Sequence, residues 1–212
     1  MLLAMNQAAH RLAPSRSGSS VGRFIGSFIG TSIDTVVGLA VTIALFGPPL
    51  AIAAEAVDTS WALRHVDQST NAAIQDPKMA GTLRALVPRP LRQAVTQDLW
   101  GPPDPVRTSG DSVSMSACRP HDCGAKGFLW LDTAHGTAIA ATADCDLQRI
   151  AGEWKWRACR LSVGSLAYGP DDLPPQARDA VKAWIADRDL EITSARFTGR
   201  VGETRALDDS WR

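Results

Sequence analysis

The chain has 212 residues, 45% of them hydrophobic and 21% charged, with glycine and proline near ordinary levels. That is the composition of a globular protein and excludes a disordered or collagen-like one. Its 22 basic and 22 acidic residues cancel, so there is no cationic excess of the kind a nucleic-acid binder carries. No heptads, no long internal repeat and no phosphate- or dinucleotide-binding fingerprint appear. Generic enzyme motifs are absent as well, so the sequence nominates no catalytic residue and no cofactor.

Residues 1–35 carry Arg11, Arg16 and Arg23 against the single acid Asp34, and they are rich in serine and glycine. The apolar run Val36 to Phe46 follows, then Gly47-Pro48-Pro49, then the small-residue patterns Ala51-Ile52-Ala53 and Ala54-Glu55-Ala56. A basic region, a short apolar stretch and small residues before a cut site predict a signal peptide over 1–56, cleaved after Ala53 or Ala56, and export to the periplasm. The alternative is an uncleaved inner-membrane anchor facing the periplasm. Val36 to Ala54 is 19 residues, close to the ~20 needed to span, but the Gly-Pro-Pro break interrupts that helix. The mature domain is expected over 57–205, followed by a loose tail at 206–212.

Residues 58–100 read as helical. Asp76-Pro77 is an N-cap followed by proline at the first helical position, and Leu83, Leu86 and Val87 give an apolar face. Pro88 and Pro90 break the run, which Leu91, Ala94, Val95 and Leu99 resume at helical spacing. Gly101 to Pro105 ends the helical part. Val113, Met115 and Ala117 then alternate with Ser112, Ser114 and Ser116, predicting a half-buried strand. "GFLWLD" and "TAIAATA" flank residues 133–136, a connection suited to a hairpin. One or two more strands are expected in 153–169, with Trp154 and Trp156 on one face. There they are expected to pack as sheet-face residues rather than to form a sugar platform.

Ala177, Ala180, Val181, Trp184 and Ile185 mark an amphipathic helix opened by Asp172 and Pro174-Pro175. Residues 190–201 are expected to add an edge strand. The fold expected is α+β: an antiparallel sheet of about five strands with helices packed on it and a cysteine-clamped, protruding loop.

All four cysteines, 118, 123, 145 and 159, lie after the exported segment, so in an oxidising compartment disulfides are the default. Proximity favours Cys118–Cys123 and Cys145–Cys159 among the three pairings. A ring closed over six residues removes little chain entropy compared with a long loop, so its effect is local stiffening. Pro120 fixes a further backbone angle, and Arg119, His121 and Asp122 are held as polar side chains on a stiff tip. A histidine there suits an acidic cleft, donating hydrogen bonds to carboxylates. The competing readings are a plain structural bridge, a zinc site from Cys118, His121, Cys123 and His135, a redox pair, and a cysteine–histidine hydrolase. A disulfide removes the thiolates the last three require.

The stretch Met115 to Gly124, "MSACRPHDCG", resembles the loop of the Ivy family of inhibitors of vertebrate (c-type) lysozyme, which carries C-[K/R]-P-H-D-C-G, commonly after M-S-A. A softer resemblance runs from Leu91 to Tyr168 and includes Trp100-Gly101-Pro102. It implies an exported, non-enzymatic α+β protein, often dimeric, whose loop plugs the lysozyme active-site cleft. His121 would meet the catalytic carboxylates, flanked by Arg119, Pro120 and Asp122, with Cys118–Cys123 holding the loop shape. The alternative is an envelope protein on the same scaffold that does not inhibit lysozyme but binds peptidoglycan or regulates one of the cell's own peptidoglycan-cleaving enzymes, which have similar carboxylate clefts. The second cysteine pair and the helix near 174–188 have no counterpart in the family's pattern.

Overall fold

The computed structural model describes residues 56–211. The predicted signal segment up to Glu55 lies outside the described residues. Among the described residues no helix is long and apolar enough to cross a membrane.

A 3-10 turn, Ser60–His65, leads into α1 (Thr70–Ile74), α2 (Pro77–Leu86) and α3 (Arg89–Asp98). Asp76 caps α2, its carboxylate accepting the Lys78 amide at 2.9 Å, and Pro77 takes the first turn, where its missing N–H costs nothing. The same carboxylate receives Nε2 of His65 at 2.8 Å and the Arg64 guanidinium, which ties α2 back to the N-terminal turn. Val87 is extended because Pro88 follows it, and Pro90 falls in the first turn of α3. One apolar run is thereby cut into two helices.

The sheet has seven strands in chain order: β1 (Arg107–Ser109), β2 (Ser112–Arg119), β3 (Asp122–Asp132), β4 (Thr137–Ile150), β5 (Glu153–Gly164), β6 (Ile192–Thr198) and β7 (Thr204–Ala206). α4 (Pro175–Asp187) connects β5 to β6. Every neighbouring pair is antiparallel except β5 and β6. The α4 crossover carries the chain back to the end of the sheet where β5 began, so the next strand runs parallel to β5.

Two apolar layers cover the sheet. Val113, Met115, Leu129, Leu131, Ala138 and Ala140 pack under the N-terminal helices. Phe128, Trp130, Ile139, Leu161 and Val163 face the other way, against Ala177, Val181 and Trp184 of α4, with Phe128 and Trp184 stacked at 5.3 Å between ring centroids. "GFLWLD" reads as an unbroken apolar run because β3 is buried on both faces.

The α+β class and the helix–meander–helix order match expectation, and three points are corrected. The sheet has seven strands rather than about five, because β1 and β7 are three-residue strands held by their neighbours. Residues 190–201 do not form an edge: β6 lies between β5 and β7. The tail is not loose through 211, since a 3-10 turn at Asp209–Trp211 buries Trp211 beside the α4 layer.

Candidate functional site

β2 and β3 meet in a two-residue turn, Pro120-His121, closed by the pairing of Arg119 with Asp122. Proline fixes a negative φ at the first turn position, and His121 has φ +63°, in the left-handed region. This sign sequence is that of a type II turn, whose second position favours glycine or asparagine. A histidine held there is uncommon. The register shifts next to the turn, Cys118 facing Lys126 while Arg119 faces Asp122. Cys123, Gly124 and Ala125 therefore form a bulge on β3, of the kind that re-aims a strand end.

Cys118 and Cys123 are disulfide-bonded across this bulge, with Cα atoms 4.9 Å apart. Pro120 and His121 are exposed. Asp122 is half-exposed and accepts the Gly124 amide at 3.2 Å, a local turn that fixes the bulge.

Arg119 does not project outward with its neighbours. Its Nε donates to Oδ1 of Asp98 at 2.9 Å, and its Nη2 lies 2.9 Å from the same oxygen. Asp98 is the last residue of α3, and its side chain is 3% exposed. Burial pushes the Asp98 carboxyl above the usual carboxylate range, and Arg119 partly offsets this. Of the four residues expected to contact a target, Pro120, His121 and Asp122 are grouped at the tip, while Arg119, its side chain 39% exposed, is also held against Asp98.

Two further elements bracket the turn. On one side the Gly101 amide donates to the Cys118 carbonyl at 2.8 Å, and Pro103 forms a bridge with Ala117. A Cβ on Gly101 would lie 2.1 Å from that carbonyl oxygen, so the residue after Trp100 must be glycine for this approach. On the other side the bulge at Gly124 lies against the Trp156 ring, and the Lys126 ammonium sits 5.9 Å from the centre of that ring. Lys126 also donates to the Cys123 carbonyl. Burial lowers its pKa from the usual lysine value, with Asp122 acting in the opposite sense.

Cys145 and Cys159 form the second disulfide, with Cα atoms 4.0 Å apart, at the point where the β4–β5 register shifts. Beyond it the two strands continue as an arm to the turn at Ala151-Gly152. Trp154 on this arm is 66% exposed, so the tryptophan pair divides: Trp156 supports the loop and Trp154 faces solvent. The four residues of the zinc reading do not converge. Both sulfurs near His121 are in a disulfide, and His135 lies beyond the far end of β3, its Nδ1 2.9 Å from Asp132. Among the described residues no group of three or more His, Cys, Asp or Glu is placed to hold a metal ion.

Sequence reasoning missed the Asp98–Arg119 pair and the support from Trp156 and Gly101. One signal was present: an aspartate ending a helix opposes the helix dipole, which points to a partner elsewhere in the fold. In comparisons with known proteins, the family model described as inhibitor of vertebrate lysozyme (Ivy) matches residues 78–187. No curated protein and no solved structure matches.

Proposed function

Because the chain belongs to the Ivy family of inhibitors of vertebrate lysozyme, we propose that it inhibits c-type lysozyme by inserting the Cys118–Cys123 turn, with His121 leading, into the active-site cleft. The observation that carries this reading is the disulfide-bonded two-residue turn, with His121 exposed in a left-handed conformation. A retaining glycosidase keeps its two carboxyl groups roughly 5 Å apart, a gap that an imidazole can bridge with hydrogen bonds from both ring nitrogens when protonated. Occlusion of the cleft would exclude water and strengthen those bonds.

Rigidity supports the same reading. Binding by a loop already held in shape avoids the entropy cost of ordering it, and here the turn is fixed by a disulfide, a bulge, the Gly101 contact and the Trp156 ring. In this account Pro120 and Asp122 flank the histidine at the contact. The sequence of residues 1–56 supports export by a signal peptide, which would place the inhibitor in the periplasm, where it meets lysozyme entering the envelope. The reaction chemistry belongs wholly to the target.

The test is a lysis assay. Purified protein mixed with c-type lysozyme is expected to suppress clearing of a cell-wall suspension in a dose-dependent way. Unaltered lysis at micromolar excess would overturn the proposal.

A further inference from the structure

We infer that Asp98 is a positioning residue for inhibition: through Arg119 it fixes the direction in which the Cys118–Cys123 turn presents His121. This rests on the inhibitory role proposed for that turn. Arg119 stands between Cys118 and Pro120, one residue from the start of the turn. Its guanidinium places two donors on one oxygen of Asp98, each at 2.9 Å. It also comes within 3.8 Å of Asp122 on the far side of the turn. One side chain thus links α3, the last residue of β2 and the first residue of β3.

The Asp98 end of this link is rigid. The backbone of α3 lies so close to the sheet there that a Cβ on Gly127 would be 3.0 Å from Cβ of Asp98. The pair is also the carboxylate's means of neutralisation. Two other cations line the same pocket as Asp98 and are engaged elsewhere: Arg160 with Asp144 and Asp146 at 3.0 and 3.3 Å, and Arg196 as a donor to Ser162. A buried carboxylate at a helix C-terminus gains nothing from the helix dipole. Its burial is costly unless it is paired. Asp98 therefore contributes little to α3 itself, and its interaction with Arg119 is spent on the loop.

The experiment compares Asp98→Asn, Arg119→Gln and the double variant in two readouts. In lysozyme inhibition each single variant is expected to lose roughly tenfold in potency, the loss of one charge-assisted contact. The double variant is expected to lose about as much as either single one, because the two residues act as a unit. In the free protein, amide hydrogen exchange at Asp122 and Gly124 is expected to quicken in both single variants, and Arg119→Gln, which strands the buried Asp98 carboxylate, is expected to lower the urea midpoint more than Asp98→Asn does. Unchanged exchange, undiminished inhibition by either single variant, or losses that multiply in the double variant would each overturn the assignment. If the unaltered protein fails to inhibit lysozyme, the functional reading falls, and the exchange readout still decides whether Asp98 positions the turn.

Discussion

A Cβ added to Gly124 would lie 2.6 Å from Cζ3 of Trp156 and 3.0 Å from the Cys145 carbonyl oxygen. The bulge that follows the turn therefore rests directly on an indole supplied by β5. This contact joins the two disulfide-bonded hairpins, the first closed by Cys118–Cys123 and the second by Cys145–Cys159. It predicts that Gly124→Ala moves the bulge or the ring. Overpacking of this kind costs about 1–3 kcal/mol, to be read by urea denaturation. Inhibition should fall along with stability. Trp156→Leu on the Gly124→Ala background should recover part of both, and no recovery would show that the ring is not what the methyl meets.

The two disulfides should differ in what their loss costs. Chain-entropy arguments give about 2 kcal/mol for the six-residue ring and about 3 kcal/mol for the fifteen-residue one. Cys145 and Cys159 are also buried in the α4-side core, so replacing them leaves a cavity as well. Cys145→Ala with Cys159→Ala is expected to lower the denaturation midpoint strongly. Cys118→Ser with Cys123→Ser should cost less stability and abolish most inhibition. Measuring midpoint and potency on the same samples separates the two effects.

Asp76 is one carboxylate whose ionisation contributes to acid stability. Burial alone would raise its pKa, but hydrogen bonds from His65, the Lys78 amide and Arg64 hold it at about 2, against 3.8 for the free side chain. A carboxyl whose folded pKa is depressed stabilises the fold above its unfolded pKa and loses that contribution as pH falls through the folded value. The window is thus about pH 4 down to about pH 2, and the contribution is on the order of 2 kcal/mol. Asp76→Asn keeps a competent N-cap and removes only the charge. Its stability deficit should be full at pH 7 and nearly gone at pH 2, as followed by urea unfolding at both values. A deficit independent of pH would assign the loss to the cap instead.

Much of this was legible in the sequence because the signals were local. Proline positions cut the N-terminal helices, alternation marked β2, and the spacing of the cysteines gave both pairings. β1 and β7 were not legible, since three residues are too few for a period to show. Trp211 follows the polar residues Asp208, Asp209 and Ser210, and only the α4 layer gives it a place to be buried. At the candidate site, His121 and its disulfide stand out in ten consecutive residues. Asp98 and Arg119 are 21 positions apart, and Gly124 and Trp156 belong to strands separated by β4. Such pairs exist only once the sheet is assembled. Arg119 illustrates the difference: its place in the motif suggested a target contact, and its hydrogen bonds point into the fold.

The central claim, that His121 is the side chain the target meets, is tested most directly by His121→Gly in a lysozyme inhibition titration. Glycine adopts the φ of +63° found here without strain, so the turn keeps its path and only the imidazole is lost. The account predicts that the variant folds with an unchanged or slightly altered midpoint and loses at least about a hundredfold in potency, in line with the loss of a central contact to charged partners. Equal potency of His121→Gly and the unaltered protein would contradict it.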